Sequence, residues 1–172
     1  MPIMIDAPDC GTSLSAFLAI GQELITHDPR HSILLSVHAY WAGDYDGTAD
    51  VALAVNAGLP IVFGEIANKQ EDNGNQCHYA LDGTGLDNPP PSGFQYQNLL
   101  AQLKQVQVGW LAWAWYKDAC AARCITPDGN YGGAGSAGLT PYGNDILNNA
   151  SYGLLAVPPK RTASLPGAAP FP

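Results

Sequence analysis

With 172 residues, the chain has the length of one domain and enough of it to bury a core. A net charge of −8, with only seven Lys and Arg, leaves no basic run and argues against nucleic acid as a partner. Hydrophobic residues make up 47% and charged residues 13%, so the chain should fold behind a lightly charged surface, and no stretch approaches the roughly 20 apolar residues that span a bilayer.

The chain enters a strand at once, Ile3-Met4-Ile5-Asp6-Ala7, closed by Pro8-Asp9-Cys10-Gly11. Thr12 or Ser13 can cap a helix whose apolar positions Leu14, Phe17, Leu18, Leu24 and Ile25 recur at helical spacing, and Asp28-Pro29 breaks it. Ile33 to Val37 is a second strand, running into His38-Ala39-Tyr40-Trp41. A polar loop from Gly43 to Thr48 leads to a short helix near Asp50 to Ala57. Gly58 and Pro60 then stop that helix and deliver a third strand through Ile61, Val62 and Phe63, which ends in Gly64-Glu65.

A long excursion rich in Asn, Asp, Gly and Pro follows as far as Ser92; loops of that length usually bind something or lack order. Phe94 to Val106 is an amphipathic helix with Tyr96, Leu99, Leu100, Leu103 and Val106 on one side. The fourth strand runs from Gly109 to Trp115, and alternation puts Leu111, Trp113 and Trp115 on one face, with Trp110 turned into the core. After a Gly-rich loop, Thr140-Pro141-Tyr142-Gly143 starts a last helix. The expected domain is 1–156, with a tail over 157–172 whose Pro, Ala and Gly content reads as linker or disorder. Four βα units with fully apolar strands are the pattern of a parallel sheet covered by helices, half of an eight-stranded barrel. In such a barrel, side chains at the carboxyl ends of the strands converge on one mouth, which makes Glu65 the first candidate for chemistry.

Four cysteines (Cys10, Cys77, Cys120 and Cys124) allow three pairings. Cys120 and Cys124 are close enough to bridge locally, which would leave Cys10 with Cys77. No metal-type C-x-x-C spacing occurs, so disulfides are favoured over zinc. Such pairs suit an exported protein, as does the sequon Asn149-Ala150-Ser151, although the chain opens without a signal peptide. No metal or cofactor is expected.

The strand ends Ile5-Asp6-Ala7-Pro8, Val37-His38-Ala39-Tyr40, Val62-Phe63-Gly64-Glu65 and Trp110 to Trp115 come in an order and spacing that resembles strands five to eight of the retaining glycoside hydrolases of family 5. That is the cellulase and β-mannanase family, and Thr140-Pro141-Tyr142-Gly143 resembles the start of its last helix. The resemblance runs from about Ile3 to Gly153. It implies that Glu65 is the catalytic nucleophile and that His38 and Tyr40 are the pair that contacts sugar and nucleophile. It also implies that Trp115 is the aromatic floor at the cleavage point, with Trp113 one pleat below; Trp41 is placed with them among the sugar contacts. The substrate class so implied is a β-linked oligo- or polysaccharide, and the implied location is outside the cell. These residue types suit the chemistry: a carboxylate attacks the anomeric carbon, a neutral hydroxyl holds it ionised and aimed, and an indole covers the apolar face of a pyranose.

Retaining hydrolysis needs a second carboxyl group about 5–5.5 Å from the first. In the family this is a Glu in an Asn-Glu pair on strand four, and the chain contains no such dipeptide. Met1 at the edge of strand five fits a gene fragment or an internal start. A half barrel exposes two sheet edges, so a two-fold dimer pairing the first strand of one copy with the fourth of the other is expected. In that dimer Asp118 is the stand-in for the missing acid, with Asp9 a weaker one; Asp44, Asp46, Glu71 and Asp72 read as solvated. The expected function is thus a glycoside hydrolase-like half barrel with weak or absent activity on its own. The competing expectation is a non-catalytic scaffold or carbohydrate-binding fragment that self-associates. A flavodoxin-like phosphate binder has no G-x-G-x-x-G loop to support it.

Overall fold

In a computed structural model, residues 3–41, 45–71, 77–80, 94–132 and 138–156 are described. The strand β1 (Ile3–Asp6) leads to α1 (Leu14–Thr26), β2 (Ile33–His38), α2 (Thr48–Asn56) and β3 (Ile61–Ile66). A short hairpin of β4 (Lys69–Glu71) and β5 (Cys77–Ala80) comes next, followed by α3 (Tyr96–Val106), β6 (Gly109–Ala112) and α4 (Pro141–Asn148). The main sheet has the order β1-β2-β3-β6, and all three pairings are parallel. Helices follow the strands as in the expected run of βα units, and the architecture is half of a (β/α)8 barrel. No helix among the described residues is long and apolar enough to cross a membrane.

The core forms where the two inner strands meet the helices. Leu35 and Val37 of β2 and Phe63 and Ile66 of β3 are fully buried. They pack in one cluster with Leu14 and Phe17 of α1, Val51 and Ala54 of α2, Leu99, Leu100 and Leu103 of α3, and Ile146 of α4. Each of these side chains larger than alanine contributes roughly 1.5–3 kcal/mol on burial, which is why the apolar stripes of these helices, and not their caps, hold them in place. Neither Ser13 at the start of α1 nor Gln95 at the start of α3 makes a side-chain cap hydrogen bond. The last helix is capped as its sequence dictates: Thr140 Oγ1 accepts from the Gly143 N–H at 2.9 Å, with Pro141 in the first turn.

The two outer strands look different from the inner ones. Ile3 and Met4 on β1 and Leu111 on β6 are exposed, and neither strand carries a lysine, arginine or proline within it. Beside β6, a groove of about 380 Å³ is lined by Trp110, Leu111, Trp115, Ile146 and Leu154, among others.

Several sequence expectations are corrected. The fourth strand stops at Ala112, three residues early, so the alternation that would align Leu111, Trp113 and Trp115 does not extend past it. The third strand runs on through Glu65 to Ile66. The excursion after Glu65 contains the β4–β5 hairpin, and most of the rest of it, with Asp44, Asp72 and the 157–172 tail, lies outside the described residues. Cys10 and Cys124 are free thiols, so neither the Cys120–Cys124 nor the Cys10–Cys77 pair forms. Cys120 is itself disulfide-bonded, and the side chain of Cys77 lies outside the described ones.

Candidate active site

Parallel pairing fixes which strand ends meet. A bulge between Val37 and His38 shifts the β2–β3 register and sets His38 opposite Glu65. Two residues on, the Tyr40 hydroxyl donates to Glu65 Oε2 at 2.8 Å. His38 lies between two carboxylates, with Nδ1 3.7 Å from Glu65 Oε2 and Nε2 3.4 Å from Asp6 Oδ1 at the end of β1. The His38 and Tyr40 rings meet edge to face at 6.4 Å. Three consecutive strands thus bring Asp6, His38, Tyr40 and Glu65 to one end of the sheet.

The local backbone makes room for the imidazole. Gly11 has φ +87° and accepts the His38 N–H on its carbonyl at 2.8 Å. A Cβ at Gly11 would come within 2.5 Å of the His38 ring, so only glycine serves there. Burial pushes the Tyr40 phenol pKa far up, its hydrogen bond to Glu65 and that carboxylate's charge push it further, and the Arg123 cation works against both. Tyr40 therefore stays protonated and donates its hydroxyl to Glu65.

Arg123 is the residue that sequence reasoning missed. It sits on a single 3-10 turn, Ala121–Arg123, with its guanidinium carbon 5.8 Å from the centre of the Tyr40 ring. The one signal available was a lone arginine between two cysteines in a chain short of cations. Its Nε donates to Asp118 Oδ1 at 2.6 Å, and the two side chains are only 8% and 6% exposed. Asp118 also accepts the Cys120 N–H at 2.7 Å and, on Oδ2, the Trp113 indole N–H at 2.7 Å. Burial by itself would raise the Asp118 pKa, but the bonds from Arg123, Cys120 and Trp113 outweigh it and hold the carboxyl below its ordinary range. Such a group is an ionised acceptor with its donors in place, which fits poorly with the role of proton donor expected for it.

The aromatic residues divide. Trp113 is joined through Asp118 and Arg123 to the Tyr40–Glu65 pair. Trp115 belongs to another neighbourhood: its indole N–H donates to the Gly129 carbonyl at 3.0 Å and its ring lines the groove beside β6. Trp41, expected among the sugar contacts, is buried in the core with its N–H on the Thr12 carbonyl at 2.9 Å. Its ring meets Tyr45, Phe63 and Phe94 edge to face, and Gly47, at φ +72°, packs against it without a side chain. Asp9 is exposed in the turn after β1, where its carbonyl accepts from Thr12. Among the described residues, no three His, Cys, Asp or Glu side chains are grouped to hold a metal ion.

Fold and site together define a class: half of a (β/α)8 barrel with an acidic, hydroxyl-paired residue at the carboxyl end of its third strand, similar to strands five to eight of the family 5 glycoside hydrolases. Comparison with known proteins finds similarity to mannanases. The mannan endo-1,4-beta-mannosidase of Streptomyces lividans is 29% identical over 170 residues, covering 96% of this chain and 37% of the relative. The enzyme of the same name from Salipaludibacillus agaradhaerens is 22% identical over 151 residues, covering 86% of this chain and 42% of the relative. Among solved structures, the beta-mannanase of Thermomonospora fusca superposes with a TM-score of 0.66 at 19% identity, over 90% of this chain and 44% of that one. The Streptomyces thermolilacinus beta-mannanase gives 0.65 at 20% identity, over 90% and 45%, and has also been solved with mannohexaose. The chain spans about two fifths of the length of the curated relatives it matches. No family model matches it.

Proposed function

We propose that this chain is the nucleophile-bearing half of a retaining β-mannanase-type glycoside hydrolase, acting on β-linked mannooligosaccharide or polysaccharide. The observation that carries the reading is the 2.8 Å hydrogen bond from Tyr40 to Glu65 at neighbouring strand ends. Glu65 attacks the anomeric carbon, the bond to the leaving oxygen breaks, and that oxygen takes the electron pair; water then hydrolyses the glycosyl ester and restores the carboxylate. Tyr40 and His38 aim Glu65, and Trp113, rather than Trp115, is the aromatic side chain tied to this site. A sugar leaving group needs a proton, and general acid help is worth about 10²–10⁴-fold, so the chain alone acts weakly on polysaccharide. Secretion, which the resemblance implies, belongs to the same proposal and is tested by separating cells from medium in the native producer.

A dinitrophenolate leaves without a proton, so an activated substrate tests the nucleophile apart from the missing acid. A fluorinated dinitrophenyl β-mannoside is expected to release one dinitrophenolate per site and leave a mannosyl ester on Glu65, located by mass spectrometry of a digest. Glu65→Ala gives no ester, and Tyr40→Phe slows its formation by about 10²-fold through misaimed attack. An unlabelled wild type would sink the assignment. The exposed apolar residues of β1 and β6 favour a second reading, a scaffold that closes by pairing with its own copy.

A further inference from the structure

We propose that Asp118 and Arg123 are positioning residues that couple the Trp113 indole to the Tyr40–Glu65 pair, so that platform and carboxylate are set as one body. The functional meaning rests on Glu65 as nucleophile, whereas the coupling itself can be read without turnover.

A continuous set of contacts carries the inference. The Trp113 indole N–H reaches Asp118 Oδ2 at 2.7 Å, Arg123 Nε reaches Asp118 Oδ1 at 2.6 Å, and the guanidinium lies 5.8 Å from the Tyr40 ring centre. The Tyr40 hydroxyl then reaches Glu65 Oε2 at 2.8 Å. Both oxygens of Asp118 are thereby used, one toward the indole and one toward the cation. The backbone fastens the segment as well: Ala114 N–H donates to the Arg123 carbonyl at 2.9 Å, and Ile125 N–H to the Ala114 carbonyl at 2.8 Å.

Stability alone does not account for this pair. A buried ion pair is often no better than apolar residues of the same volume, because desolvating both charges offsets their attraction. What the pair supplies is geometry and field. The carboxylate fixes the guanidinium plane, and a desolvated cation facing a phenol ring is attracted to its electron-rich face. The positive charge also opposes the rise in the Tyr40 pKa, and a more acidic phenol is a stronger donor to Glu65. A sugar resting on Trp113 and the carboxylate that attacks it are then positioned by one shared acceptor, in the manner of a supporting shell around a reactive group.

Nuclear magnetic resonance of the full chain tests the coupling. The Tyr40 hydroxyl proton is assigned by its loss in Tyr40→Phe, and the Trp113 indole signal by its loss in Trp113→Phe. Asp118→Asn is expected to shift the Trp113 indole and also to remove the Tyr40 hydroxyl signal, although Tyr40 and Asp118 share no hydrogen bond. A purely local structural role moves the indole only. Arg123→Met removes the hydroxyl signal as well, while Arg123→Lys, which keeps the charge, retains it at a shifted position; if Arg123→Met does not fold, Asp118→Asn and Arg123→Lys carry the test. A folded Asp118→Asn protein with an unchanged Tyr40 hydroxyl signal overturns the coupling. In parallel, Asp118→Asn slows mannosyl-ester formation by about 10²-fold. Absence of ester in the wild type would count against the nucleophile and leave the resonance result to stand or fall alone.

Discussion

Tyr96 and Asp145 join the third helix to the fourth: the Tyr96 hydroxyl donates to Asp145 Oδ2 at 2.6 Å. The same carboxylate accepts Tyr152 at 2.5 Å and the Asn149 amide at 2.9 Å. Burial works to raise the Asp145 pKa, but the Tyr152, Tyr96 and Asn149 donors prevail and hold it below its reference of 3.8. Asp118 is depressed likewise, burial again opposing and its donors prevailing.

A carboxylate depressed in the fold stabilises it fully above the unfolded pKa, and that stabilisation is lost as pH falls through the folded pKa. Stability should therefore be level above about pH 5 and decline below about pH 4. Asp145→Asn is expected to be less stable near neutrality and to show a flatter acid limb. Urea unfolding at a series of pH values measures both, and parallel limbs in the two proteins would refute the assignment.

The Tyr142 hydroxyl donates to the Ile66 carbonyl at 2.6 Å, tying α4 to the strand that carries Glu65. That carbonyl also accepts the Trp113 backbone N–H at 2.8 Å, so it keeps one partner when the hydroxyl is removed. Tyr142→Phe should then cost only about 1 kcal/mol, the net value of one hydrogen bond, in a denaturant titration. A loss above about 3 kcal/mol would mean that the carbonyl is left stranded.

The two free thiols among the described residues differ in access, Cys10 being exposed and Cys124 buried. Iodoacetamide should modify Cys10 in the folded protein within minutes, and Cys124 only after denaturant is added. Mass spectrometry of the two digests distinguishes the sites. Equal labelling of both in the folded state would contradict the burial of Cys124.

If β1 and β6 pair with another copy, the protein sediments above its monomer mass at micromolar concentration, and Leu111→Lys returns it to monomer. Analytical ultracentrifugation decides this. A wild type that remains monomeric at all concentrations rules out the pairing.

The sheet was legible because each strand is a short apolar run bounded by turn residues, and the meeting of His38, Tyr40 and Glu65 was legible because they stand at the ends of such runs. What escaped was whatever depends on contacts distant in sequence. β6 ends at Ala112 because β3 offers it no partner beyond the pair Ile66–Ala112, and nothing in Trp113 or Trp115 announces this. Helix α2 begins at Thr48, ahead of the expected Asp50, since Gly47 turns the chain against Trp41. Trp41 was expected among the sugar contacts, yet the aromatic ring of Phe94 closes over it from elsewhere in the chain. The burial of Arg123 and the thiol states depend in the same way on how the segment after β6 folds back.

Because all four strands point the same way, the outer side of β1 and the outer side of β6 are unlike surfaces, and a second molecule added at one presents the other anew. Assembly of this kind is head to tail, and its outcome turns on a single angle. A half-circle per molecule seals after two and gives a discrete particle. A slightly different rotation would never meet its own start and would grow into a fibre, so if copies pair in this way the curvature of this small sheet separates a closed particle from a polymer.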